Sequence, residues 1–239
     1  MQIRSAALTD IGKVRRENED RFLCDDALRL YAVADGIGGL PGGAEAAQHA
    51  ITHLRDAIAA APPDALPDLA SLTQRLNETV YQLGLRISPN HGLGTTLTYA
   101  LVRNACLHLA HVGDSRCYLL RKKELLCLTT DHTVENEVRA RRAAGKIISF
   151  EESQRKALVR CIGQQGALET DVSQHPLQAG DRILFCSDGI DKAIDEAELA
   201  ALLGQGRDPH PILRALIALA DERGGGDNAT GVLLFVDAA

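Results

Sequence analysis

The order of apolar and polar positions along the chain changes period several times, and each change predicts an element. An apolar run from Leu28 to Ala34, with Arg29 the exception, ends abruptly on Asp35, Gly36, Ile37, Gly38 and Gly39. That pattern reads as a buried strand delivering one carboxylate to a sheet edge. Glycine lacks a Cβ, so the chain can bend sharply there and turn a carbonyl toward an ion at the acid. Before it, Ile3 to Leu8 has weak strand character, Thr9 to Gly12 reads as a turn, and Arg21 to Cys24 pairs with the run at 28–34 as a hairpin through Asp25 and Asp26.

From Ala44 to Ala60 the spacing becomes helical, with Ala47, Ala50, Ile51, Leu54 and Ile58 on one face, and Pro62-Pro63 stops it. Leu69, Leu72, Leu76, Val80 and Leu83 mark a second helix between Pro67 and Leu85. Period two or continuous apolar character then returns at Thr95–Val102, Cys106–Val112, Arg116–Arg121 and Glu124–Leu128, with a turn at Lys122-Lys123, which predicts an antiparallel meander. Residues 134–160 offer few core-forming side chains, and the expectation is an exposed flap with helical character from Thr133 to Gly145. Further strands are expected at Val172–His175, Arg182–Cys186 and Thr230–Val236, and further helices at Glu196–Leu203 and Pro211–Ala220. Helices grouped on either side of a strand-rich middle predict an α+β fold: a four-layer α/β/β/α sandwich of two mainly antiparallel sheets flanked by helices.

Length and composition narrow the class. No proline-rich, serine-rich or charge-block linker divides the 239 residues, so one domain spanning 1–239 is expected. At 45% hydrophobic and 24% charged, the chain can bury a sizeable core. The formal charge of -6 argues against a nucleic-acid partner, which requires a basic surface to release counterions. Six cysteines, at 24, 106, 117, 127, 161 and 186, lie mostly within apolar runs with no CxxC pair, and are read as reduced core thiols suited to the cytoplasm. Neither an apolar leader nor a stretch of the ~18 residues that span a bilayer occurs, so no membrane association is expected.

The acids carry the chemistry. Asp188 stands in Ile183-Leu184-Phe185-Cys186-Ser187-Asp188-Gly189, the same order of apolar strand, acid and glycine as at Asp35. Asp227 follows three glycines, Asp114 sits between two expected strands, and Glu19 and Asp20 add two more acids at an element end. An Asp before Gly or Asn is ordinary in turns, but such oxygen-rich sets recurring at strand ends suit magnesium or manganese better than zinc.

These pieces fall in one order. Thr9-Asp10-Ile11-Gly12 with Arg15-x-x-Asn18-Glu19-Asp20, Val33-Ala34-Asp35-Gly36-x-Gly38-Gly39, Gly94-Thr95-Thr96, His111-Val112-Gly113-Asp114-Ser115-Arg116, Leu128-Thr129-x-Asp131-His132, Cys186-Ser187-Asp188-Gly189 and Asp227-Asn228-x-Thr230 follow one another from Thr9 to Val236. The sequence resembles the metal-dependent serine/threonine protein phosphatases of the protein phosphatase 2C type, in their compact bacterial form. The resemblance implies that Asp35 bridges two Mn2+ or Mg2+ ions, that Gly36 adds its carbonyl, that Asp188 and Asp227 bind the second ion, and that Glu19 joins the shell directly or through water. It implies that Asp114 with Asp188 holds a third, looser ion, and that Arg15 grips the substrate phosphate. A metal-bridging hydroxide would attack phosphoserine or phosphothreonine, opposing a bacterial serine/threonine kinase, in a cytoplasmic monomer.

The chain departs from the pattern at Ile37, at Leu40 and across Pro41-Gly42-Gly43-Ala44-Glu45, which differs from the usual Gly-Glu that opens the helix. Several eukaryotic members have a histidine after the Asp-Gly pair, where this chain has Ile37, and many bacterial members have one after Gly-Gly, where it has Leu40. The acid that protonates the leaving oxygen is therefore left open, with a metal-bound water or a preference for aryl phosphates as alternatives. His132 and His111 are read as structural. Ser187 and Ser115 are read as hydrogen-bond partners of metal-binding acids rather than nucleophiles, since no Gly-x-Ser-x-Gly elbow is present. The rival readings are a non-catalytic phosphoprotein-binding module of the same fold and a two-metal diesterase.

Overall fold

The computed structural model describes residues 1–38, 42–146 and 148–238. Its strands are β1 (Gln2–Asp10), β2 (Asp20–Asp25), β3 (Leu30–Asp35), β4 (Leu97–Arg103), β5 (Cys106–Val112), β6 (Arg116–Arg121), β7 (Glu124–Cys127), β8 (Asp171–Pro176), β9 (Arg182–Cys186) and β10 (Ala229–Asp237). Its helices are α1 (Gly43–Ala59), α2 (Leu69–Ile87), α3 (Val134–Ala143), α4 (Asp188–Asp191), α5 (Glu196–Leu203) and α6 (Pro209–Glu222), with a single 3-10 turn at Glu152–Gln154. One sheet orders its strands β1-β10-β9-β6-β7 and the other β2-β3-β4-β5-β8, and neighbouring strands are antiparallel throughout.

Three apolar layers hold the two sheets and the helices together, giving the four-layer sandwich read from the sequence. Alternate residues of a strand face opposite sides, so Leu30, Ala32, Leu97, Tyr99 and Leu101 meet α1 and α2 through Ala47, Leu54, Leu72 and Val80. Their neighbours Tyr31, Val33, Ala100 and Val102 point the other way, into a central layer with Cys117, Leu119, Ile183, Phe185, Val232 and Leu234 of the second sheet. The outer face of that sheet, with Tyr118, Leu184, Leu233 and Phe235, is covered by Leu199, Leu203, Leu213 and Leu216 of α5 and α6. Because β3 is covered on both faces, its sequence is a continuous apolar run rather than an alternating one. Burying each such leucine contributes about 1.5–3 kcal/mol, and truncating the fully buried Leu54 to alanine would cost about 2–5 kcal/mol.

Caps explain the helix starts. The Asp68 carboxylate accepts from the Ser71 amide at 2.7 Å, which opens α2. Asp208 accepts from His210 N at 3.0 Å and Pro209 fills the first turn, so α6 begins two residues before the expected Pro211. At the N-terminus, β1 runs through Thr9 and Asp10 to pair with Thr230 and Ala229, so the turn expected at Thr9 starts at Ile11 instead.

The meander is corrected. β4 and β5 form one hairpin and β6 and β7 another, but they belong to different sheets. The chain crosses between sheets at Gly113-Asp114-Ser115, where Gly113 has φ +114 and a Cβ would lie 2.6 Å from the Thr96 side chain. The cysteine reading is also narrowed: all six are free, but only Cys117 and Cys186 are buried, and Cys127 is exposed. Within the expected flap, Val138 is the buried residue of α3. No helix among the described residues is long and apolar enough to cross a membrane.

Candidate active site

Asp35 closes β3, opposite Asp20 on β2, and its backbone is fixed on both sides. Its amide donates to Thr96 Oγ1 at 2.9 Å, and its carbonyl accepts from the Thr96 amide and from Thr95 Oγ1, both at 2.8 Å. Gly36 N then donates to the Glu19 carbonyl at 3.2 Å. A Cβ on Gly36 would lie 2.4 Å from the Gly43 carbonyl oxygen and 2.9 Å from that of Glu19, so the glycine is required by the close approach of α1 and β2.

Each further acid arrives from a different element. Asp188 starts α4 directly after β9, Asp114 sits on the crossing between sheets, and Glu19 precedes β2. Asp227 follows the glycine loop, whose Gly225 carbonyl accepts from the amides of Lys13 at 2.8 Å and Val14 at 3.3 Å. Asn228 ties that loop to the segment carrying Arg15 and Glu19. Its Nδ2 donates to the carbonyls of Ile11 at 2.9 Å and Glu17 at 3.0 Å, while its Oδ1 accepts from Glu19 N at 2.9 Å.

All seven residues singled out from the sequence, Arg15, Glu19, Asp35, Gly36, Asp114, Asp188 and Asp227, line one cleft of about 190 Å³, together with Ile37, Thr96, Lys192 and Asn228. A second hollow of about 390 Å³ adjoins it, sharing Asp114, Asp188 and Lys192 and bounded by Thr133, Asn136 and Arg139. Arg16 faces solvent.

Five carboxylates in the cleft face two cationic side chains, Arg15 and Lys192. Arg15 Nη2 pairs with Asp227 Oδ2 at 2.8 Å and the Lys192 ammonium pairs with Asp188 Oδ2. The rest of the negative charge is uncompensated. Burial, then the charges of Asp20, Asp188, Asp114 and Asp227, hold the Asp35 carboxyl well above its ordinary range. Burial and the neighbouring Asp188 push Asp114 up to about 6, and burial raises Glu19. Asp188 Oδ1 is buried and has no hydrogen-bond partner among the described residues. Among the described residues no three of these groups already close on one point. An all-oxygen donor set with excess negative charge and an orphaned buried carboxylate oxygen fits hard divalent cations.

The remaining candidates sort themselves by contact. Asp20 is buried below Asp35 and absent from the cleft lining, and Ser187 Oγ donates to its Oδ2 at 2.7 Å. Ser115 is buried with its Oγ 2.7 Å from Thr96 Oγ1. His111 is held by Thr98 Oγ1 at 2.8 Å and the Thr130 carbonyl at 3.2 Å. His132 accepts from Gly113 N at 3.1 Å and meets Asp171 at 3.2 Å, so neither histidine reaches the cleft. Ile37 lines it, whereas Gly39, Leu40 and Pro41 lie outside the described residues. Lys192 was missed by the sequence reading, and Asn228 was quoted there without a role.

The comparisons with known proteins agree. The family described as protein phosphatase 2C matches residues 6–229. The chain is 31% identical over 236 residues to the serine/threonine phosphatase stp of Listeria innocua, covering 95% of this chain and 93% of the relative. It is 36% identical over 240 residues to the serine/threonine protein phosphatase PstP of Mycobacterium tuberculosis, covering 98% of this chain and 45% of that longer protein. The solved catalytic domain of a PstP, in complex with two manganese ions, superposes with a TM-score of 0.82 at 33% identity and 99% coverage of both chains. The chain belongs to the protein phosphatase 2C family, the metal-dependent serine/threonine protein phosphatases.

Proposed function

We propose that this chain hydrolyses phosphoserine and phosphothreonine on bacterial proteins with two divalent cations, Mn2+ or Mg2+, held in the Asp35 cleft. The observation that carries the reading is the convergence of five carboxylates and one arginine fork on a single cleft, with Asp188 Oδ1 left unpaired. Asp35 would bridge the ions with the Gly36 carbonyl beside it, Asp188 and Asp227 would hold the second ion, and Glu19 would complete the shell. When bound, such a pair supplies a low-pKa water as nucleophile and Lewis acidity at the phosphoryl oxygens. The two manganese ions of the PstP complex support this pairing.

The chain's own residues do the rest. Asp35, held neutral-prone by burial and then by its acidic neighbours, is ionised once positive charge enters the cleft. Arg15, about two-fifths exposed and, among the described residues, hydrogen-bonded only to Asp227, can present two N–H groups to a substrate phosphoryl group. The Thr95 and Thr96 contacts keep the Asp35 backbone from shifting as charge develops. With no histidine among the described cleft residues, the departing serine or threonine oxygen takes its proton from water. The whole of 1–239 serves as one catalytic unit with residues 134–160 as its flap, acting as a cytoplasmic monomer against a cognate serine/threonine kinase.

The test is phosphate release from a phosphothreonine peptide. The reading expects release with Mn2+ and none after chelation; a folded chain that binds Mn2+ and releases no phosphate would refute it.

A further inference from the structure

Asp114 and Asp188 are the two carboxylates to which the family resemblance assigns a third, loosely held ion, yet the chain brings a cation of its own to them. Lys192 follows Asp188 by four residues across the single turn of α4, the spacing at which side chains meet on one helix face. Its ammonium is hydrogen-bonded to Asp188 Oδ2. Asp114 and Asp191 are the other acids that act on it. Lys192 lines both the catalytic cleft and the adjoining hollow, at the seam where those two spaces share Asp114 and Asp188. On the far side of this seam Arg116 holds Asp191 at 3.1 Å and Asp131 at 2.7 Å, so Asp191 has its cation from elsewhere and leaves Lys192 to the Asp114–Asp188 pair.

We propose that the Lys192 ammonium takes the place of a third metal ion between Asp188 and Asp114, so that this phosphatase binds two ions and no more. The inference rests on the two-ion reading of the cleft given above. An ammonium is a compact point charge with three donors, which suits the Asp188 carboxylate, whose Oδ1 has no partner among the described residues, beside Asp114. Tethered to the chain, it is present at every metal concentration, whereas a loosely held ion loads only when the metal is abundant. It also opposes a divalent cation electrostatically at the same carboxylates. The adjoining hollow, which a third ion would otherwise border, is then closed on its catalytic side by a side chain. The expected consequence is a Mn2+ dependence of turnover with no second, weaker phase.

The test counts Mn2+ bound per intact chain by equilibrium dialysis and elemental analysis in the parent protein, Lys192→Ala, Lys192→Met and Lys192→Arg. The Lys192 side chain is 43% exposed, so these substitutions leave the core intact, and the methionine variant keeps the stem's packing without its charge. Two ions are expected in the parent and in Lys192→Arg, and three in Lys192→Ala and Lys192→Met, the additional one lost again in the double variant Lys192→Ala/Asp114→Ala. Three ions in the parent, or two in both neutral variants, would overturn the assignment of Lys192 while leaving the two-ion site standing. A parent that binds no Mn2+ would remove the two-ion reading and this inference with it.

Discussion

Ser187 Oγ lies 2.7 Å from Asp20 Oδ2 and joins the two sheets. Asp20 begins β2 in one sheet, Ser187 follows β9 in the other, and the same hydroxyl accepts from the Thr230 amide at 3.0 Å. Burial drives Asp20 up to about 7, with the charge of Asp188 adding to it, so Ser187 donates to one oxygen of a buried acid that pairs across the strands with Asp35, while Asp20 Oδ1 has no partner among the described residues. Ser187→Ala would remove the donor to Asp20 Oδ2 and the acceptor of the Thr230 amide and cost about 1–3 kcal/mol of stability while retaining measurable turnover. Urea unfolding and phosphate release check this together. Complete loss of turnover in a stably folded variant would instead favour a nucleophilic serine.

Gly36→Ala should destabilise the chain by about 1–3 kcal/mol, since its Cβ would meet backbone atoms of Gly43 and Glu19 that cannot move without displacing α1 or β2. Thermal unfolding without metal isolates this effect from ligand binding. An unchanged melting temperature would show that α1 does not pack on Gly36 as described.

Arg15→Ala should lower kcat/KM for a phosphopeptide by about 10²–10³, the cost of removing one preorganised donor to transition-state charge. Arg15→Lys should recover only part, because an ammonium cannot reproduce the two-toothed contact. Steady-state kinetics of both variants checks the fork; full recovery in the lysine variant would show that charge alone suffices.

The contribution of His111 to stability should fall in a defined acid window. Burial, then His132, pushes His111 down to about 4, and it is held by Thr98 and Thr130 in its neutral form. In the unfolded chain it titrates near ~6.5. Above that pH both states carry neutral imidazole and the native contacts contribute fully. Between ~6.5 and ~4 only the unfolded state binds the proton, so stability declines as pH falls, by about 3 kcal/mol in all for this group. Asp20, Asp35 and Asp114, held above their ordinary range, change stability in the opposite sense over the same pH range, so the His111 contribution is read by urea unfolding as the loss between pH 7 and pH 5 of the parent's stability relative to His111→Asn.

Ile37 occupies the cleft where a proton donor could stand. The chain should therefore favour aryl phosphates, whose leaving groups need no proton, over phosphoserine peptides. Ile37→His should raise the peptide rate relative to the aryl rate. A fall of both rates in equal proportion would contradict this view of the leaving group.

Much of this site is legible in the sequence because its chemistry sits at strand ends, where apolar runs stop on acids. The run at 28–34 announces β3, and Asp35 and Asp188 share its grammar of apolar strand, acid and glycine, while Asp227 is marked by the three glycines before it. What stayed hidden depends on distance in the chain. The crossing at Gly113–Ser115 has the spacing of an ordinary hairpin, and only packing shows that β5 and β6 part into different sheets. Asn228 secures the Arg15 segment through carbonyls more than 200 residues earlier, which no local pattern encodes. Lys192 reads as a surface lysine until α4 turns it back onto Asp188.

The central claim is that Asp35 holds the catalytic ions, and Asp35→Asn tests it most directly when Mn2+ binding and turnover are measured on the same folded sample. The account expects the variant to keep its fold, to gain stability without metal because one of several repelling carboxylates is gone, and to lose both tight Mn2+ binding and phosphate release. An Asp35→Asn protein that still binds two Mn2+ ions and turns over phosphopeptide would contradict it.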